Sequence, residues 1–152
     1  VEIEERLSAL EARVAALEGR PATAVTAADD TGRVVYGGEA SLGGYQWKWE
    51  AVRSPGWLVE QPAAPLAAVL AAAGHPARLR ILQLLLAGPR PIADLQGELA
   101  LASQGQLYHH LKTLASAGLV EQPERGVYRV PAQAVFPVLA LAAAATDVAG
   151  RE

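Results

Sequence analysis

Leu101-Ala-Ser-Gln-Gly-Gln-Leu-Tyr-His-His-Leu-Lys-Thr-Leu-Ala-Ser-Ala-Gly118 is the stretch whose reading decides the fold. Ser103 is a residue type that caps a helix N-terminus, and Gly118 is one that ends a helix in the left-handed conformation. Between them Leu107, Leu111 and Leu114 recur at spacings of four and three, so they share one face. The opposite side carries Gln104, Gln106, Tyr108, His109 and Lys112. These are long, hydrogen-bonding and mostly uncharged side chains, and an amide can bond a base edge in two places at once. The spacing therefore predicts a helix over 103–117 with an apolar strip inward and a polar face suited to a DNA groove. An ordinary surface helix has the same periodicity, so the flanking sequence must decide between the two.

Working outward, Leu119-Val-Glu121 and Val127-Tyr-Arg-Val130 read as two strands joined by Gln122-Pro-Glu-Arg-Gly126. Such a hairpin after the helix is a wing over 119–130, and Arg125 at its tip can reach a phosphate or the minor groove. Pro131 closes it, and the Ala-rich run from Gln133 to Ala145 predicts a last helix. On the N-terminal side, Leu66–Ala73 reads as a helix closed by Gly74. His75-Pro76 opens a second, with Leu79, Ile81, Leu82, Leu85 and Leu86 as its core side. Gly88-Pro89 ends it. Pro91–Leu99 makes a short third helix with Ile92, Leu95 and Leu99 inward, and Ala100-Leu-Ala102 leads into the quoted helix. A short helix, a brief turn and a helix with a polar N-terminal half form a helix-turn-helix arrangement.

Further out lies a hairpin. Arg33–Leu42 and Tyr45–Arg53 flank Gly43-Gly44, a two-residue turn signal. Counting from the turn pairs Leu42 with Tyr45, Ala40 with Trp47, Gly38 with Trp49 and Tyr36 with Ala51, all on one face. Glu39 meets Lys48 on the other, a favourable cross-strand pair. The face of Tyr36, Tyr45, Trp47 and Trp49 is a candidate surface for a small-molecule effector or a partner. It equally suits packing on the helical domain, since an isolated hairpin is scarcely stable. Trp57 and Leu58 read as a further anchor, and Gln61-Pro-Ala-Ala-Pro65 as a stiff connector. Ala22–Asp30 reads as a linker after Gly19-Arg-Pro21.

At the N-terminus Ile3, Leu7, Leu10, Val14 and Leu17 alternate spacings of four and three, a heptad with Ile3, Leu10 and Leu17 at d. Arg6 and Arg13 then fall at g, and Glu4, Glu11 and Glu18 at e. A parallel pair sets Arg6 against Glu11 and Arg13 against Glu18 of the partner, whereas an antiparallel pair sets like charges together. The pattern calls for a parallel homodimer. Because the run is short, it would zip subunits already joined elsewhere. A single amphipathic helix lying on its own domain is the other reading.

The formal charge of −3 looks wrong for a nucleic-acid binder until the chain is divided. Residues 65–131 hold six cations (Arg78, Arg80, Arg90, Lys112, Arg125, Arg129) against Asp94, Glu98, Glu121 and Glu124, a balance of +2. Residues 1–20 hold three Arg against five Glu, or −2. The objection is removed, no more. Cysteine is absent, which excludes disulfides, thiolate metal sites and a cysteine nucleophile. No apolar run reaches the ~18 residues that span a bilayer, and no secretory signal is visible, so a soluble cytoplasmic protein is expected.

With these residues in place, 66–145 resemble the winged helix-turn-helix repressors of the ArsR family. The likeness lies in Leu-Ala-Ala-Ala-Gly-His-Pro-Ala-Arg-Leu-Arg-Ile-Leu (70–82), Ile-Ala-Asp-Leu (92–95) and Ser-Gln-Gly-Gln-Leu-Tyr-His-His-Leu-Lys-Thr-Leu-Ala-Ser-Ala-Gly-Leu-Val (103–120). The resemblance covers about half the chain. It implies a homodimeric regulator whose terminal helices dimerise and whose fourth helix reads the major groove of double-stranded DNA. Ser103, Gln104, Gln106, Tyr108 and His109 fall in the reading segment, while Lys112 and Arg125 suit phosphates. The family's metal-sensing members use cysteines, which this chain lacks. His109 and His110 are adjacent on a helix, about 100° apart, and do not easily share an ion. No metal, cofactor or membrane is expected.

The fold expected is mainly α with small β (α+β), in four segments. These are a coiled-coil helix (1–19), a linker with the aromatic hairpin (20–64), a winged helix-turn-helix (65–131) and a C-terminal dimerisation helix with its tail (132–152). The function expected is a dimeric, sequence-specific transcriptional regulator, a repressor by resemblance. The alternative is a winged helix used as a protein-interaction module, with the coiled coil and Trp face as contact surfaces. An enzyme is not expected. Gly37-Gly38 and Gly43-Gly44 sit in a hairpin without a following helix, Asp94 and Glu98 read as a solvated face, and Ser103 with His109 lacks an orienting acid.

Overall fold

Ile81, Leu82, Leu95, Leu107, Leu111 and Leu114 are the largest fully buried side chains, and they come from three consecutive helices. The computed structural model describes residues 2–17, 32–101 and 103–150. In chain order these form α1 (Glu2–Leu17), β1 (Val34–Leu42), β2 (Tyr45–Arg53), α2 (Pro55–Glu60), α3 (Ala63–Ala73), α4 (Pro76–Leu86), β3 (Arg90–Pro91), α5 (Ile92–Glu98), α6 (Gln104–Ser116), β4 (Glu121–Glu124), β5 (Val127–Arg129) and α7 (Ala132–Ala149). The linker expected over 22–30, Ala102 and the last two residues lie outside the described residues, as does the side chain of Leu17.

Helices α3 to α6 with strands β3, β5 and β4, in that sheet order, make a winged helix. Burying each core leucine stabilises this unit by about 1.5–3 kcal/mol. α4 starts where expected, and the cap is His75, whose Nδ1 accepts the Ala77 backbone N–H at 3.1 Å. Its inward side differs in one respect. Leu84 is buried, while Leu79 is 37% exposed and faces away from the core. α3 begins at Ala63 rather than Leu66, with Pro65 inside its first turn, so the stiff connector shrinks to Gln61 and Pro62. Proline is tolerated there because a first-turn N–H has no partner within the helix.

The wing also differs from expectation. Its first strand is Glu121–Glu124 and its turn is only Arg125-Gly126, because Pro123 lies within the strand at an irregularity in the register. Leu119 and Val120 are buried before the strand begins. The two-residue β3 adds a third strand on β5, pairing Arg90 with Tyr128 and Pro91 with Val127.

The N-terminal hairpin has the register counted from its glycines: Leu42 with Tyr45, Ala40 with Trp47, Gly38 with Trp49 and Tyr36 with Ala51. Glu39 and Lys48 make a 3.0 Å ion pair on the outer face, largely exposed. Both strands contact α7, and Trp47 packs against the winged-helix core. Trp57 is no anchor. It sits on α2, capped by Ser54, and is 48% exposed beneath the Arg53 guanidinium.

α7 is 18 residues long and, with a mean hydropathy of 1.6, long and apolar enough to cross a membrane by length and composition. That exceeds the apolar run expected from the sequence. Its first half nevertheless supplies Ala134, Val135, Phe136 and Val138 to the interior. Buried side chains of this kind make it the closing helix of the domain core.

Candidate nucleic-acid interface

α6 is built as its sequence requires. Ser103, extended in backbone, accepts the Gln106 N–H on its Oγ at 3.3 Å and caps the N-terminus. At the other end Gly118 has φ +76°, and its N–H bonds the Ala115 carbonyl while Leu119 N–H bonds that of Leu114, both at 3.0 Å. This paired closure fixes the helix end and turns the chain into the wing.

Leu107, Leu111 and Leu114 are buried against α4, and α6 also contacts α3. With that face fixed, Gln104, Gln106, Tyr108, His109 and Lys112 are all exposed. The three-residue and four-residue spacings bring Gln104, Tyr108 and Lys112 into one outward row, with Gln106 and His109 beside it. Each hydrogen-bonding group is thus presented by a helix whose rotation about its axis is set by packing.

The wing is held in the same frame. Ile92 N–H, at the start of α5, bonds the carbonyl of Gly126 in the wing turn at 2.9 Å. Arg129 Nε and Glu121 Oε1 bridge the two wing strands at 2.7 Å. Tyr108 of α6 lies near enough to Tyr128 of β5 to affect its phenol. Burial raises the Tyr128 pKa above its ordinary value, and Tyr108 adds to the rise. Arg125 is exposed at the turn. The outward face of α6 and the wing turn thus offer amides, an imidazole and the cations Lys112 and Arg125.

The sequence did not single out Arg78. Its Nε and Nη2 donate to the carbonyls of Ala72 (2.6 Å) and Ala71 (3.1 Å) at the end of α3, and Nη1 approaches Nδ1 of His110 at 3.4 Å. One side chain of α4 thereby ties α3 to the inner face of α6. A cation beside the last carbonyls of a helix was the signal that could have found it. Of the aromatic set, Trp47 and Trp49 are half-buried, Tyr36 likewise, and Tyr45 is 48% exposed with its ring 6.1 Å from that of Trp47. The dimerisation set is exposed in the single chain: Ile3 by 80%, Leu7 by 57%, Leu10 by 59% and Val14 by 43%.

The model of a family described as a helix-turn-helix domain matches residues 73–123, from the end of α3 into the wing. No curated protein matches the chain. Among solved structures, Rv0081 of Mycobacterium tuberculosis is 30% identical over 57% of this chain and 90% of its own, with a TM-score of 0.48. HlyU from Vibrio cholerae is 30% identical over 55% and 92%, with a TM-score of 0.47. The transcriptional repressor BigR from Xylella fastidiosa is 27% identical over 58% and 93%, with a TM-score of 0.47. With its helical core, its three-stranded wing and the matched helix-turn-helix segment, the chain belongs to the winged helix-turn-helix family in its ArsR-like form.

Proposed function

We propose that the protein is a dimeric, sequence-specific DNA-binding transcriptional regulator that represses by occupying promoter DNA. α6 enters the major groove and the wing lies along the flanking backbone. The observation that carries this reading is the exposed set Gln104, Gln106, Tyr108, His109 and Lys112 on a helix whose opposite face is fully buried. Gln104 and Gln106 are suited to adenine edges, Tyr108 and His109 to bases or phosphates, and Lys112 and Arg125 to phosphates. Ser103 holds the helix N-terminus, whose dipole favours an adjacent phosphate. In a two-fold dimer the two copies of α6 address half-sites about one helical turn, ~34 Å, apart or a multiple of it.

The test is binding of the full chain to a pool of randomised duplexes, followed by salt titration on the selected site. Affinity should fall steeply with salt, linearly on logarithmic axes. Replacing Gln104 and Gln106 together by Ala should relax selection by about 1–3 kcal/mol per lost base contact. Arg125→Ala should weaken binding to all sequences alike and lower the salt slope by about 1. A pool that yields no preferred sequence, or an affinity indifferent to salt, overturns the reading and favours a protein-interaction module.

A further inference from the structure

The docked hairpin encloses something that neither part has alone. Between its tip and the winged helix lies a cavity of about 250 Å³. Tyr45 and Trp47 form one wall, their rings 27° from parallel. Leu86, Val130 and Val135 form the facing aliphatic side. Gly88, whose φ of +135° L side chains rarely adopt, lies beside the Tyr45 ring, which a Cβ there would meet at an ordinary contact distance of 3.4 Å. Glu121 and Arg129 of the wing, with Gln133 at the start of α7, supply the polar rim.

We propose that this cavity binds a small, flat aromatic carboxylate. The lining suits a ring, since the aromatic side chains of Tyr45 and Trp47 and aliphatic ones border the same space. Two observations select the acid group. The indole Nε1–H of Trp47 is buried and has no hydrogen-bond acceptor among the described residues. A buried donor left unpaired is costly; water does not reach this atom from the cavity, so a ligand oxygen relieves that cost only once the indole turns toward it. At the rim the Arg129 guanidinium pairs with Glu121, and the two side chains are 47% and 41% exposed. A water-accessible pair of this kind is weakly held, so a ligand carboxylate can take the place of Glu121 on Arg129.

The site also has a consequence for output, which rests on the DNA-binding reading above. The Glu121–Arg129 side-chain bond crosses the wing strands beside their backbone ladder, and Gln133 lies in the first turn of the helix that follows. A carboxylate drawing Arg129 away from Glu121 releases that bond and changes the stance of Arg125, four residues along the same hairpin. The ligand would therefore alter DNA affinity through the wing without touching α6.

The experiment follows the three indole N–H signals of the full chain by nitrogen-edited NMR during titration with 1-naphthoate, in the absence of DNA. Trp47→Phe assigns the relevant signal. The expected result is a saturable shift of the Trp47 signal, with Trp57 unmoved. Gln133→Phe, which fills the cavity from an exposed helical position, should abolish it while the remaining spectrum stays folded. Arg129→Gln should weaken 1-naphthoate about tenfold and leave the uncharged 1-naphthamide unaffected. A Trp47 signal that does not move, that moves together with Trp57, or that still moves in Gln133→Phe overturns the site. Equal weakening of acid and amide in Arg129→Gln overturns the carboxylate assignment. DNA affinity is then measured with and without saturating 1-naphthoate. An unchanged value overturns the link to the wing, whereas salt-insensitive DNA binding in the absence of ligand overturns only the regulator reading.

Discussion

His110 is the buried polar side chain of the described core, 8% exposed on the inner face of α6. Its ring lies 4.7 Å from that of His75 and 5.9 Å from that of His109, with the Arg78 guanidinium at 3.4 Å from Nδ1. A guanidinium can only donate, so Nδ1 accepts and the ring proton resides on Nε2. The neutral ring is the form that fits. Burial holds the pKa below the ordinary 6.5, and His75, Arg78 and His109 lower it further. The unfolded chain takes up a proton near pH 6.5, whereas the folded chain resists until a lower pH. The contribution is therefore fully present above 6.5 and is lost as the pH falls from 6.5 toward the folded value. Thermal unfolding should show a melting temperature that declines between pH 7.5 and 5.5, before most carboxylates titrate. His110→Gln should flatten the decline, and an unchanged slope would show that the titrating group lies elsewhere.

At the scale of elements, the hairpin shows what a sequence carries and what it does not. Its register was legible because Gly43-Gly44 fixes a two-residue turn and strict alternation fixes the faces. The docking of that turn was not legible. Gly43 (φ +57°) lies against the Ala87 carbonyl so closely that a Cβ there would overlap it, whereas nothing stands within 4 Å of a Cβ on Gly44 (φ +83°). Gly44→Ala should therefore cost only the left-handed penalty, about 1–2 kcal/mol. Gly43→Ala carries the same penalty and must also displace backbone, adding about 1–3 kcal/mol. Urea unfolding of the two variants measures the difference, and equal losses would mean the turn does not bear on the end of α4. The same logic separates the rest of the site. Ser103, the leucine spacing and Gly118 are local signals, and α6 was read from them nearly to the residue. The wing strand was misplaced because Pro123 reads as a turn residue, and β3 is too short to leave a pattern. Arg78 and the cavity below Trp47 arise from contacts between distant segments, which no local periodicity encodes.

For the whole molecule, the open question of assembly turns on α1. In the single chain Ile3, Leu7, Leu10 and Val14 are exposed. An apolar heptad seam of that length is only marginally stable without a partner surface. A second copy of α1 would supply one, and the charges at e and g would then choose the direction. With helices parallel, Arg6 would meet Glu11 of the partner and, by the heptad count, Arg13 would meet Glu18, which lies outside the described residues. Reversal would cost each such pair its attraction, a few tenths to 1 kcal/mol in water, and add like-charge repulsion. Because the chain has no cysteine, a single introduced thiol reports the direction. In a parallel pair each residue faces its own copy, so Val14→Cys brings two thiols into one layer, within the ~7 Å between Cα atoms that a disulfide tolerates. In an antiparallel pair centred on Leu10 the same two positions are eight residues apart along the axis, about 12 Å at 1.5 Å per residue. Mild oxidation of Val14→Cys should therefore give a covalent dimer in high yield, seen on a non-reducing gel. Arg13→Glu should reduce that yield, and adding Glu18→Arg to the same chain should restore it. Little cross-linking by Val14→Cys in a chain that still sediments as a dimer would place the subunit contact on α7 and leave α1 free for another partner.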